Sequence, residues 1–201
     1  MGIIFLWYSP MAKKKTEDKP EEKKEVKERI SGQFIGGRVV AESSDASREL
    51  NSTSQIGALM EDGRLQLSLL EAAYLLEKKK VCLVDGRGME IAFDGFVKKA
   101  QRSEPNFWVR YCVFKDIRNR GYVVKTALKF GADFRVYDRG VKPGEDHAKW
   151  IVYPVYEAEK YTWYDFAAKN RVAHSTKKRL LIALVDEEND CTYYEISWKR
   201  P

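Results

Sequence analysis

The chain has 201 residues, enough to bury a core as one domain or as two small ones. Hydrophobic residues at 44% and aromatic residues at 12% exclude global disorder, and charged residues at 33% put a heavily solvated surface over that core. A formal net charge of +6 suits a polyanionic partner, but part of the excess falls in the N-terminal tail, so charge alone identifies none.

Met1 to Pro10 is apolar but too short to span a bilayer, and it lacks the basic leader and cleavage pattern of a secretory signal. No membrane association is expected. Gly2 has no Ser or Thr in the myristoylation position, and Met11, followed by AKKK, reads as a start. Lys13 to Glu28 is almost wholly charged with mixed sign and cannot bury apolar surface, so residues 1–29 are expected to be a disordered or loosely helical tail.

Order is expected from Ile30. Gln33 to Val40, broken by Gly36 and Gly37, reads as a strand folding into a hairpin, and Gln55 to Met60 as further β structure after a Ser-rich turn. The Gly-Gly pair lacks the Lys-Ser/Thr and helix start of a phosphate loop. Ser68 caps a helix: Leu69, Leu70, Ala73 and Leu76 recur at helical spacing, Glu71 stands three residues after the cap, and Lys78 to Lys80 close it. Val81 to Val84 is a strand, and Phe93 to Pro105 contains a short closing helix. A second helix follows Asn106, with Phe107, Tyr111, Phe114 and Ile117 on one face and Gly121 as its stop. Strands are expected at Tyr122 to Ala127, Lys129 to Tyr137 and Ala148 to Val155, a helix from Thr162, and two last strands, Leu180 to Val185 and Cys191 to Trp198, around the acidic turn Asp186 to Asp190. This order predicts an α+β protein: a small N-terminal α/β domain over residues 30–102, then a mixed-sheet domain flanked by helices over residues 106–201.

Cys82, Cys112 and Cys191 lie far apart inside apolar runs. They read as buried small hydrophobes of a reducing cytoplasm, not as a disulfide framework or zinc site. There is no metal-ligand cluster and no nucleophile elbow. What remains is Tyr137 and His147 at opposite ends of a loop containing Gly and Pro, and the pair Lys177 and Lys178 before an apolar strand. Each has an ordinary reading: a half-buried sheet tyrosine, a solvated loop histidine, a solvated basic run. Together they suit attack of a ribose 2′-hydroxyl on its neighbouring phosphate. One group must take the hydroxyl proton, a second must protonate the departing 5′ oxygen, and a cation must offset charge on the phosphorane. No metal is required, because the nucleophile already sits beside the phosphorus.

Three strings, GYVVKTALKFGADFRVYDRG, PGEDHAKWIVYPV and RVAHSTKKRLLIALVDEENDCTYYEISW, resemble the catalytic domain of the archaeal tRNA-splicing endonuclease family. The likeness covers about Asn106 to Trp198, and the preceding unit resembles that family's small leading domain. The resemblance implies a catalytic triad of Tyr137 as base, His147 as acid and Lys178 as phosphorane stabiliser, with Lys177 as the alternative if the register slips by one. It implies that Arg171 stacks on a bulged base. Thr176, where relatives tend to carry Val, is a departure that touches no catalytic position. The implied substrate is precursor tRNA whose intron lies in a bulge-helix-bulge, cut without metal or cofactor to a 2′,3′-cyclic phosphate and a 5′-hydroxyl, in the cytoplasm. Subunits of the family pair through the C-terminal strand and dock dimers through an acidic loop, here Asp186, Glu187, Glu188 and Asp190. The expectation is therefore a homotetramer built as a dimer of dimers, the alternative being a heterotetramer with a separate structural subunit. Two other classes remain: a catalytically silent subunit, which is expected to lack part of the triad, and a general RNA-binding module, for which no motif is present.

Overall fold

The structure is a computed structural model that describes residues 29–197. The tail expected over residues 1–29 lies, apart from Arg29, outside the described residues, as does Trp198 at the end of the last expected strand. Gly36 and Gly37 both take positive φ, 59° and 77°, the conformation a two-residue hairpin turn needs. They fold β1 (Ile30–Ile35) back on β2 (Arg38–Ala41). The Ser-rich segment expected to be a turn is instead a helix, α1 (Asp45–Ser54): the Ser44 hydroxyl accepts from the Ser47 amide while Ser47 Oγ accepts from the Ser44 amide. Serine at a cap favours a turn and a helix start alike, and α1 offers only two apolar residues, Ala46 and Leu50, to tell them apart. It ends at Gln55 in a left-handed conformation, so the β structure expected from there shrinks to β3 (Ala58–Leu59), which pairs with the short, unanticipated β4 (Leu65–Leu67).

The Ser68 capping box opens α2 (Leu69–Glu77), which is buried on nearly every side beneath β2, β4 and β5 (Val81–Val84). The first sheet runs β3-β4-β2-β1-β5, with β1 and β5 parallel and the other pairs antiparallel. After α3 (Phe93–Ser103) comes α4 (Phe107–Asn119), whose Phe107, Tyr111, Phe114 and Ile117 are buried as their spacing predicts, joined by Cys112 and Val113. α4 packs on α2 and α3 one way and on the second sheet the other. A single continuous apolar core therefore runs from the first sheet through α4 to Phe134 and Val152 of the second.

The second sheet has the order β10-β9-β8-β7-β6: β6 (Val123–Ala127), β7 (Ala132–Tyr137), β8 (Trp150–Tyr156), β9 (Arg179–Val185) and β10 (Cys191–Ile196). The strand expected from Lys129 begins only at Ala132, because Leu128–Phe130 forms a 3₁₀ turn that breaks the ladder where the β6–β7 register shifts. β8 and β9 are parallel, and α5 (Trp163–Ser175) makes the crossover that a parallel pair requires. Alternation along the strands divides the sheet. Phe134, Val136, Val152 and Ala183 face α4, while Ile151, Tyr153, Val155, Leu180 and Ile182 form a second core with Ala173 of α5. The protein is α+β, with two mixed five-stranded sheets.

Cys112 is buried, and Cys82 and Cys191 are half-buried; all three are free thiols. Burial pushes Cys112 up to about 11 and Cys191 up to about 12, so both stay protonated and unreactive at neutral pH. Among the described residues no helix is long and apolar enough to cross a membrane.

Candidate active site

The rungs Val136–Trp150 and Trp150–Arg179 are the last at one end of the second sheet. The C-terminus of β7, the N-termini of β8 and β9, and the loop 138–149 therefore all meet there. Tyr137 is the last residue of β7, His147 lies three residues before β8, and Lys178 immediately precedes β9. All three line one open cavity of about 390 Å³, together with Phe130, Arg135, Gly144, Glu145, Asp146 and Ala148.

Each side chain is held differently. Tyr137 is 4% exposed; its ring lies under the Arg135 guanidinium, 5.8 Å from centroid to Cζ. The loop carrying His147 is tied at its base by Lys149 Nζ to Asp138 Oδ2, 2.6 Å, an ion pair that holds the Asp138 carboxyl below the usual carboxylate range. Near its tip the Asp146 carboxylate accepts the His147 amide, 2.6 Å. This leaves the imidazole exposed at the cavity mouth.

Lys178 is delivered by the end of α5. Lys177 takes a left-handed φ of 54°, its amide bonds to the His174 carbonyl, and the Lys178 amide reaches back to Ala173, the closure by which helices commonly stop. Lys178 is half-buried, with Nζ 3.0 Å from the Thr176 carbonyl and 5.9 Å from the Phe130 ring centre. Lys177 is exposed and does not line the cavity. The two lysines diverge because a helix cap intervenes, not because they alternate along a strand, since β9 begins only at Arg179.

Arg171 is elsewhere. It is exposed on α5 and lines a separate cavity with Ala167, Asn170 and His174. The acidic turn is also remote from the triad cavity. Asp186 Oδ1 accepts the Asp190 amide, Asn189 takes φ 69°, and the Asn189 side chain accepts from Trp108 Nε1 on α4, which leaves Glu187, Glu188 and Asp190 exposed while Asp186 is half-buried. β10, which follows, is an edge strand.

Sequence reasoning did not single out Arg135 or Phe130. Period-two alternation could have found Arg135, two residues before Tyr137 on one strand; nothing in the sequence pointed to Phe130, which the 3₁₀ turn delivers. Other cavities, one of about 340 Å³ beside Gly57, Glu71 and Lys125 and one of about 510 Å³ beside Glu49 and Lys78 to Lys80, are lined by neither histidine nor tyrosine. Among the described residues no three His, Cys, Asp or Glu side chains are grouped so as to share a metal ion.

Two family profiles match the chain: the tRNA intron endonuclease N-terminal domain over residues 30–97 and the tRNA intron endonuclease catalytic C-terminal domain over residues 107–193. Among curated proteins, the chain is 40% identical over 173 residues to the tRNA-splicing endonuclease of Thermococcus onnurineus, covering 86% of this chain and 98% of the relative. It is 40% identical over 173 residues to that of Methanothermobacter thermautotrophicus, covering 86% and 99%. To that of Pyrococcus furiosus it is 41% identical over 165 residues, covering 82% and 94%.

Proposed function

The chain belongs to the tRNA intron endonuclease family, and from that premise we propose that it excises introns from precursor tRNA at bulge-helix-bulge sites, using Tyr137, His147 and Lys178. The observation that carries this reading is the single cavity those three side chains share. A base, an acid and a cation on one concave wall are the three groups the transesterification needs. Tyr137 takes the proton of the 2′-hydroxyl as O2′ bonds to phosphorus. The P–O5′ bond breaks, and His147 gives its proton to the leaving oxygen. Lys178 offsets the charge that builds on the non-bridging oxygens. The products are a 2′,3′-cyclic phosphate and a 5′-hydroxyl, with no net gain or loss of protons between substrate and products.

The bulge-helix-bulge reading is favoured by the recessed form of this cavity, about 390 Å³, since unpaired, splayed nucleotides can enter where a stacked duplex cannot. Arg171 takes an unpaired base by stacking, from its exposed position on α5. The chain assembles in the cytoplasm as a homotetramer, a dimer of dimers. Among the described residues β10 offers an unpaired edge for one contact, and Glu187, Glu188 and Asp190 stand exposed on a turn pinned to α4 for the other.

The test is single-turnover cleavage of a bulge-helix-bulge RNA by His147→Ala. Loss of the general acid slows cleavage by about 10²–10⁴ with RNA affinity retained, and the unmodified protein keeps its rate in excess chelator. Wild-type cleavage by His147→Ala removes His147 from the mechanism, and abolition by chelator assigns the chemistry to a metal.

A further inference from the structure

Arg135 lines the cavity with Tyr137 and Lys178 but has no part in the mechanism above. Strand alternation puts it on the same face of β7 as Tyr137, and its guanidinium stands over that ring. The fold does little to satisfy it. Its Nε is buried without a hydrogen-bond partner among the described residues, and none of the ion pairs among those residues includes it. Directly across the β6–β7 ladder stands another cation, Lys125, whose Nζ is turned to the Gly57 carbonyl, 3.2 Å; like charges so placed oppose folding. The two carboxylates on the cavity wall serve their own loop, Glu145 accepting the Lys142 amide and Asp146 the His147 amide. The planar fork of a guanidinium matches phosphate oxygens. Left with donors unfilled on a concave wall beside a base, an acid and a lysine, it lacks only an anion.

We propose that Arg135 is a fourth catalytic residue, whose guanidinium binds a non-bridging oxygen of the scissile phosphodiester so that Arg135 and Lys178 hold the phosphate between them. The inference rests on the reading of this cavity as the cleavage site. Lys178 is a point charge engaged with the Thr176 carbonyl and fixes no orientation by itself. The fork supplies orientation, and its hydrogen bonds strengthen as those oxygens gain charge.

The experiment uses the full chain and a bulge-helix-bulge RNA with sulfur replacing one non-bridging oxygen at the scissile phosphate, each diastereomer tested separately in single turnover. Arg135→Met is expected to cut the all-oxygen RNA about 10²–10³ more slowly, with affinity little changed. The diastereomer that the unmodified protein cuts poorly is expected to lose most of its handicap in this variant, because the contact that discriminated sulfur has gone. Arg135→Lys keeps the charge without the fork and recovers part of the rate. Wild-type cleavage by Arg135→Met overturns the proposal, as does a slow variant whose sulfur effect is undiminished, which marks a structural role. If Arg135→Met fails to fold, the same sulfur comparison is read from Arg135→Lys. His147→Ala in parallel separates the two readings: undiminished cleavage there overturns the cavity as cleavage site, whereas a slow His147→Ala beside a fast Arg135→Met overturns only the role of Arg135.

Discussion

Replacing Glu71 tests how the leading sheet is fastened to the domain that carries the candidate site. Glu71 is 8% exposed. Its Oε2 accepts the Ser68 amide and hydroxyl, each at 2.9 Å, which is the capping interaction, while Oε1 accepts the buried Gly57 amide, 2.9 Å, fourteen residues away in sequence. The Gly57 carbonyl in turn accepts Lys125 Nζ of β6, so the carboxylate sits at the joint between the two sheets. A helix cap contributes about 1 kcal/mol, and a buried amide left without an acceptor costs about 1–3 kcal/mol. Glu71→Ala, which loses both, is expected to destabilise by about 2–4 kcal/mol, or about 10 °C in a chain of this size. Glu71→Gln can keep its carbonyl oxygen toward Ser68, but then sets its NH2 against the Gly57 N–H, so it loses the tertiary bond alone and costs about 1–3 kcal/mol. Ser68→Ala loses only cap interactions and costs about 1 kcal/mol. Urea unfolding of the three variants, followed by circular dichroism, gives the comparison. If Glu71→Ala costs no more than Ser68→Ala, the bond to Gly57 contributes nothing and the argument fails.

Three further outcomes are expected. Lys178→Ala slows single-turnover cleavage by about 10²–10³ as a transition-state cation is removed, whereas Lys177→Gly, which preserves the left-handed cap, leaves it unchanged; the opposite result exchanges the two lysines. Reversing the exposed pair with Glu187→Lys and Glu188→Lys, while sparing the Asp186 and Asn189 bonds that shape the turn, is expected to yield dimers by sedimentation and to abolish cleavage, with added salt weakening the contact in the unmodified protein. An intact, active tetramer after that reversal removes the turn from the interface. Tyr111 donates to Glu77 Oε2, 2.8 Å, and burial first, then that carboxylate, push its phenol above the ordinary range. Below about pH 10, the unfolded phenol's pKa, both states hold the proton; above it the unfolded chain releases the proton while the folded one keeps it, so stability falls as pH rises. Tyr111→Phe lacks this share, and its denaturant midpoint should decline less between pH 9 and pH 11 (roughly the phenol's titration range); a parallel decline in both proteins refutes the assignment.

The helices with a clear apolar period were legible in the sequence. α4 buries the residues its spacing names, and α2 buries Leu69, Leu70 and Ala73 but leaves Leu76 half-buried, with Leu75 buried beside it; the Ser68–Glu71 box marked where α2 begins. The glycine hairpin was legible because only a positive φ closes so short a turn. The same local logic misread α1, whose serines suit a turn as well as a cap, and extended β7 through a segment that becomes a 3₁₀ turn where the β6–β7 register shifts. Types and spacing nominated Tyr137, His147 and a lysine, since the chemistry they suit follows from their functional groups. Which lysine enters the cavity depends on backbone bonds that close α5 one residue before Lys178, a choice invisible to spacing because adjacent positions differ only by the cap between them. Arg135 escaped notice because an arginine in a strand is ordinarily paired. Only the packed sheet shows which carboxylates lie near it, and here those on the cavity wall are engaged with their own loop. The sequence by itself determined the chemistry available to this protein. The tertiary structure decided which groups share one wall, because those groups come from three strand ends that meet only when β7, β8 and β9 pair in register.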